Sequence, residues 1–237
     1  MKTLILIILS MSLVNCAKNN SEIEIQPDNS SWVETPEEPN FGSSVDTPNP
    51  DVLIIGDSIS IGYTGPLIKT IGDKYDVRHP ADNCRNSYYT LQNIDTWLDQ
   101  YPHNIIIWNN GIWDTTRADW LDQYMPDAIR SNYGTSLEDY KSNLIQIAQK
   151  LKSTSSRVIF LTTTDIPKIS GVFEIGKEID LNSIAYSVLP SMGVEVYDLY
   201  SFALSIQDAH TNDFDVHFKT SSNYKFAYFI KDIIGEY

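Results

Sequence analysis

The chain has 237 residues, 42% of them apolar, enough for a sizeable core in one or at most two domains. Its formal charge is −14, from 17 Lys and Arg against 31 Asp and Glu, so it lacks the clustered cations that a nucleic-acid partner requires. Two cysteines, Cys16 and Cys84, imply no disulfide framework and cannot build a thiolate zinc site.

Met1-Lys2 gives a positive start, followed by an apolar run from Leu4 to Leu9 that extends weakly to Val14. The run is too short to span a bilayer as a mature helix and fits the apolar region of a secretory signal. It ends in "SLVNC", with Leu13 three residues before Cys16. That pattern resembles a bacterial lipobox, in which the cysteine becomes the lipidated first residue. Residues 1–15 are therefore expected to be a signal peptide and Cys16 a lipidation site. The mature protein is then a lipoprotein of the cell envelope, touching membrane only through its lipid. Residues 16–50 are rich in Asn, Ser, Pro and Glu and read as a flexible tether, with too little apolar surface to offset ordering entropy.

From Asp51 the pattern changes. "DVLIIG" (51–56), "KYDVRHP" (74–80), "NIIIWNNG" (104–111), "RVIFLTTT" (157–164) and "VEVYDLY" (194–200) read as five strands. Their short, β-branched apolar runs suit strands buried on both faces of a parallel sheet. Helical periodicity fills the gaps. It places Leu91, Ile94 and Leu98 on one face, then Leu137, Tyr140, Leu144, Ile147 and Leu151, and finally Phe226, Phe229, Ile230 and Ile233. Such alternation with right-handed crossovers predicts a three-layer α/β/α sandwich on a central parallel five-stranded sheet.

Ligands of open parallel sheets bind beyond the carboxyl ends of the strands. The residues there are Gly56-Asp57-Ser58, then Asn83-Cys84-Arg85, Asn109-Asn110-Gly111 and Thr162 to Asp165. Before the last helix, "NDFDVHF" adds Asp213, Asp215 and His217. A serine hydroxyl is a weak nucleophile until a base takes its proton, and a carboxylate usually orients that base. A Ser, a His and an Asp converging on one sheet edge therefore point to nucleophilic catalysis. Asp57 is expected to cap the helix that follows it. No Asp-x-Asp-x-Asp-Gly spacing occurs, and neither a metal nor a cofactor is expected.

Residues 51 to 237 resemble the SGNH hydrolases, also called the GDSL esterase/lipase superfamily. "IGDSISIGY" is similar to the first block, and "NDFDVHF" to the last. The resemblance implies a flavodoxin-like fold, with Ser58 as nucleophile, His217 as base and Asp215 as its acid, Asp213 being the competitor. It implies an oxyanion held by the N–H groups of Ser58 and Cys84 and by the Asn109 amide, with Asn110 as runner-up. Cys84 stands where the family has a glycine, which a non-glycine can replace only at negative φ. The implied activity is hydrolysis of a carboxylic ester. The alternatives are a glycan-binding domain that keeps the fold without turnover, and an esterase or thioesterase acting on lipid or small acyl esters.

The stretch 113–135 is an insertion between the third strand and its helix, carrying Trp113, Trp120, Tyr124, Tyr133, Arg117 and Arg130. Aromatic side chains at a site mouth suit sugar rings and arginine suits a carboxylate; the same rings could equally pack the insertion. With an envelope location, the expected substrate is an O-acetyl ester of a carbohydrate.

Overall fold

The structure is a computed structural model and describes residues 49–235. The expected signal peptide, the Cys16 site and all but the last two tether residues lie outside the described residues.

All five expected strands form: β1 (Asp51–Ile55), β2 (Asp76–Arg78), β3 (Ile105–Trp108), β4 (Arg157–Leu161) and β5 (Glu195–Tyr197). They pair in parallel in the order β2-β1-β3-β4-β5, the doubly wound order of flavodoxin-like folds. Each strand stops short of its expected C-terminal end. Gly56, Asn109 to Gly111 and Thr162 to Thr164 leave the ladder and make the edge where a site can form.

The helices, in chain order, are α1 (Ser58–Ile71), α2 (Ser87–Gln100), α3 (Ala118–Tyr124), α4 (Asp127–Arg130), α5 (Leu137–Ser153), α6 (Lys177–Val188), α7 (Leu199–Leu204) and α8 (Thr220–Ile234). Successive strand side chains point to opposite faces. Val52, Ile54, Ile105, Ile107, Ile159 and Leu161 thus enter one core with Tyr63 and Leu67 of α1 and Phe226 and Ile230 of α8. Leu53, Ile55, Ile106, Trp108, Val158 and Phe160 enter the other, under α2, α5 and α6. Three layers follow from that alternation.

The expected helix faces hold with local rotation. Tyr140, Leu144, Ile147 and Leu151 are buried, whereas Leu137, the first residue of α5, is exposed. In α2 Ile94 and Trp97 fill the core and Leu91 and Leu98 pack beside it. In α8 the buried line is Phe226, Ile230 and Ile234, one residue every four; Phe229 and Ile233 flank it.

Candidate active site

β1 ends at Ile55, and the chain turns at once into α1. Asp57 has extended backbone and its Oδ1 accepts the Ile59 N–H at 3.0 Å, so it is the N-cap and Ser58 the first helical residue. A Cβ on Gly56 would lie 2.8 Å from Ser60 Oγ, so a side chain there would force the first turn of α1 open. Ser58 is thereby fixed just past the sheet edge.

His217 arrives from the opposite end of the sequence. Thr211 N–H donates to the His217 carbonyl at 2.9 Å, and Lys219 N–H to the Ala209 carbonyl at 2.9 Å, closing a loop around residues 212–216. Within it Asn212 Oδ1 accepts the Phe214 N–H at 2.9 Å and bends the chain. That bend aims Asp215 at His217: Oδ1 takes both the ring Nδ1 and, at 3.1 Å, the His217 backbone N–H. The Thr211 hydroxyl donates to Oδ2 at 2.8 Å. With its proton on Nδ1, the imidazole presents Nε2 as acceptor, 2.8 Å from Ser58 Oγ. Asp213 is exposed and carries no such bond.

Burial pulls the His217 pKa below 6.5; the Asp215 bond and charge oppose this, and His210 nearby adds to it. The ring is therefore unprotonated at neutral pH, as a base must be. Burial alone would raise the Asp215 carboxyl, but the His217 ring, its charge, its N–H and the Thr211 hydroxyl outweigh it and bring the pKa to about 2.

The oxyanion donors expected from the sequence divide. Ser58 N–H has no acceptor among the described residues and stands at the positive end of α1. Cys84 does not offer its N–H: it donates to the Gly56 carbonyl at 3.1 Å, inside the sheet-edge packing. The left-handed residue of that segment is not Cys84 but Arg85, at φ 48°. Asn109 Nδ2 gives one hydrogen to the Leu161 carbonyl at 2.9 Å, while its Oδ1 is buried without a partner. Asn110 is fully occupied: it accepts from Trp108 Nε1 at 2.7 Å and donates to Arg85 O and Thr90 Oγ1.

No protein-family model and no curated protein matches this chain. Solved structures do. A lipase/acylhydrolase from Enterococcus faecalis superposes with TM-score 0.64 at 14% identity, over 78% of this chain and 95% of its own. The acetyl xylan esterase AlAXEase gives 0.61 at 15%, over 78% and 100%. A GDSL-like lipase from Bacteroides thetaiotaomicron gives 0.57 at 20%, over 78% and 87%. The fold is that of the SGNH hydrolases.

On that SGNH frame the insertion is stitched down. Gly134 N–H donates to the Trp113 carbonyl at 2.7 Å, and Asn86 Nδ2 reaches the Ser131 and Gly134 carbonyls at 3.0 and 3.2 Å. Trp113 packs edge-on against Tyr133 at 5.0 Å and Phe173 at 5.6 Å, so these rings are core of the insertion rather than a free sugar platform. Trp120 leans on Tyr124, which is exposed. Neither expected arginine is free. Arg117 meets Asp119 fork to fork at 2.9 and 2.5 Å, and Arg130 holds Asp122 at 2.6 Å and Asp127 at 2.9 Å. Asp114 is buried and binds Ser87 N–H at 3.0 Å and Ser87 Oγ at 2.6 Å, tying the insertion to the start of α2.

Two histidine arrangements went unseen in the sequence. His210 Nε2 meets Asp165 Oδ2 at 3.0 Å and its ring stacks on Phe218 at 4.3 Å, bracing the His217 loop against the end of β4. His79 Nε2 lies 2.7 Å from Ser60 Oγ in the core. No spacing signal links residues 45 and 19 positions apart; only the strand order brings them together.

Proposed function

We propose that the protein is a serine ester hydrolase and that its substrate is an O-acetyl ester of a carbohydrate. The observation that carries the first part is Ser58 Oγ at 2.8 Å from an imidazole whose other nitrogen is held by Asp215. Ser58 Oγ attacks the ester carbonyl while His217 takes its proton. The developing oxyanion meets the Ser58 N–H and the second amide hydrogen of Asn109, the one Leu161 does not hold. Loss of one such donor costs about 100- to 1000-fold in rate. His217 then protonates the leaving alcohol. Water, deprotonated by the same ring, cleaves the acyl-enzyme and releases the acid.

The carbohydrate part is supported by the acetyl xylan esterase among the similar structures. A cleft of about 770 Å³ beside the insertion, with Tyr88, Tyr133, Asn143 and Lys177 as well as Ala118 and Leu121 in its wall, has room for a sugar unit, although Ser58, His217 and Asn109 do not line it. Hydrolysis of p-nitrophenyl acetate by wild type and Ser58→Ala tests the mechanism. We expect the variant to fall to the uncatalysed background; equal rates above background would exclude Ser58 as nucleophile, and wild type at background would leave a binding domain.

A further inference from the structure

Arg85 differs from every arginine of the insertion. Its guanidinium lies over the Tyr89 ring at 4.4 Å and faces the Tyr133 ring at 5.8 Å, both within cation–π reach. Among the described residues it makes no side-chain hydrogen bond and no ion pair. Asp82, three positions earlier, accepts from the Tyr89 hydroxyl instead. A guanidinium that meets rings through its face still has the N–H groups of its rim to offer, and that fork matches a planar carboxylate with two parallel bonds.

Its backbone sets where this fork stands. Arg85 has φ 48°, uncommon for a residue with a side chain. The conformation is over-determined: Cys84 N–H is tied to Gly56 O at 3.1 Å, Arg85 N–H to Asn83 Oδ1 at 2.9 Å, and Arg85 O to Asn110 Nδ2 at 3.0 Å. The backbone at Cys84 and Arg85 is thus held between the β1–α1 turn, just before Ser58, and the loop that carries Asn109 and Asn110. Tyr133, one of its two rings, also lines the 770 Å³ cleft. In a chain of charge −14, a cation on a backbone held between these turns, with no ion pair among the described residues, marks a place for an anion from outside.

We propose that Arg85 is a specificity residue that binds a carboxylate on the alcohol part of the ester, so that the preferred substrate is an acetylated acidic sugar rather than a neutral one. This rests on the esterase reading above. The probes are two mono-O-acetylated methyl glycosides that differ only at C6, a glucuronoside and a glucoside. Wild type should favour the acid by about tenfold or more in kcat/KM, the range of a hydrogen-bonded charge pair. Arg85→Asn, chosen because asparagine tolerates a left-handed backbone, should lower kcat/KM for the acid at least tenfold more than for the neutral glycoside. Arg85→Lys should recover only part of the preference, since an ammonium lacks the fork. Equal rates on both glycosides in wild type, or equal losses in the variant, would overturn the assignment. Binding of methyl glucuronoside to Ser58→Ala protein by calorimetry separates it from the esterase reading. If turnover is absent but binding is seen and is lost on adding Arg85→Asn, the carboxylate site stands and the hydrolase does not; no binding at all overturns the site.

Discussion

Two serines two residues apart on α1 each meet a histidine, and the two pairs are not equivalent. Ser58 and His217 meet at 2.8 Å at the sheet edge, Ser60 and His79 at 2.7 Å inside the core. Distance therefore does not make a nucleophile. The first pair has a carboxylate on the far ring nitrogen and is only partly buried. The second has the Pro80 carbonyl there, at 2.7 Å, and Ser60 and His79 are 0% and 1% exposed. Ser60 Oγ also donates to the Asp57 carbonyl at 2.6 Å, so its proton already has an acceptor. Serving all of these contacts requires two protons on the ring, yet burial holds its pKa down to about 4. The buried pair clamps the first turn of α1; the edge pair has the arrangement that the proposed hydrolysis requires.

The sharpest way to break this contrast is through the acid. Asp215→Asn should keep the fold and lower kcat for p-nitrophenyl acetate by about 10⁴-fold, because the wrong tautomer then faces Ser58. Asp213→Asn should change it less than twofold. The reverse order would move the orienting role to Asp213, and small effects from both would leave a Ser–His dyad.

Ser60→Ala should do the opposite kind of damage. It removes one hydrogen-bond partner from the fully buried His79 ring, so the urea midpoint should drop by the equivalent of about 1–3 kcal/mol. kcat at a folding-permissive temperature should stay within about tenfold of wild type. A folded Ser60→Ala protein with no turnover would show that the core pair takes part in the reaction.

The smallest effect is a pH dependence at Asp57. Burial raises its carboxyl to about 7; the Ile59 N–H opposes the rise and Asp114 adds to it. A raised carboxyl pKa means that the unfolded chain ionises first. This group's contribution is fully present below the unfolded value near 4 and is lost as pH climbs through about 7. Asp57→Asn keeps the capping oxygen and removes that loss. Relative to wild type, its thermal stability should improve by about 2 kcal/mol between pH 5 and pH 8. A constant difference across that range would mean that Asp57 stays ionised in the core.

The strands were legible because β-branched runs buried on both faces leave few other readings, and Val52 to Ile55 and Ile105 to Ile107 fill both cores as the sequence implied. Ser58 and His217 were legible for a related reason. Ser58 follows β1 at the carboxyl edge of the sheet and His217 lies just before the last helix, the two places where the sequence pattern put a hydroxyl and an imidazole. The donors were harder to read. Whether Cys84 N–H is free depends on a carbonyl 28 positions away, and no local pattern records that contact. Arg117 and Arg130 looked available because their acids, Asp119, Asp122 and Asp127, could as easily have faced water.

The sequence by itself determined the alternation of strand and helix, the cap that starts α1, and the pairing of a serine with a distant histidine. These depend on side-chain period and local hydrogen bonding, which travel with the residues themselves. The sequence favoured Asp215 over Asp213 as the acid, and the tertiary structure has the matching geometry: the bend at Asn212 seats Asp215 on the ring and leaves Asp213 exposed. The tertiary structure alone decided which arginine keeps its fork open. Charge pairing depends on distances across loops, and those are fixed by how β1, β3 and their turns pack.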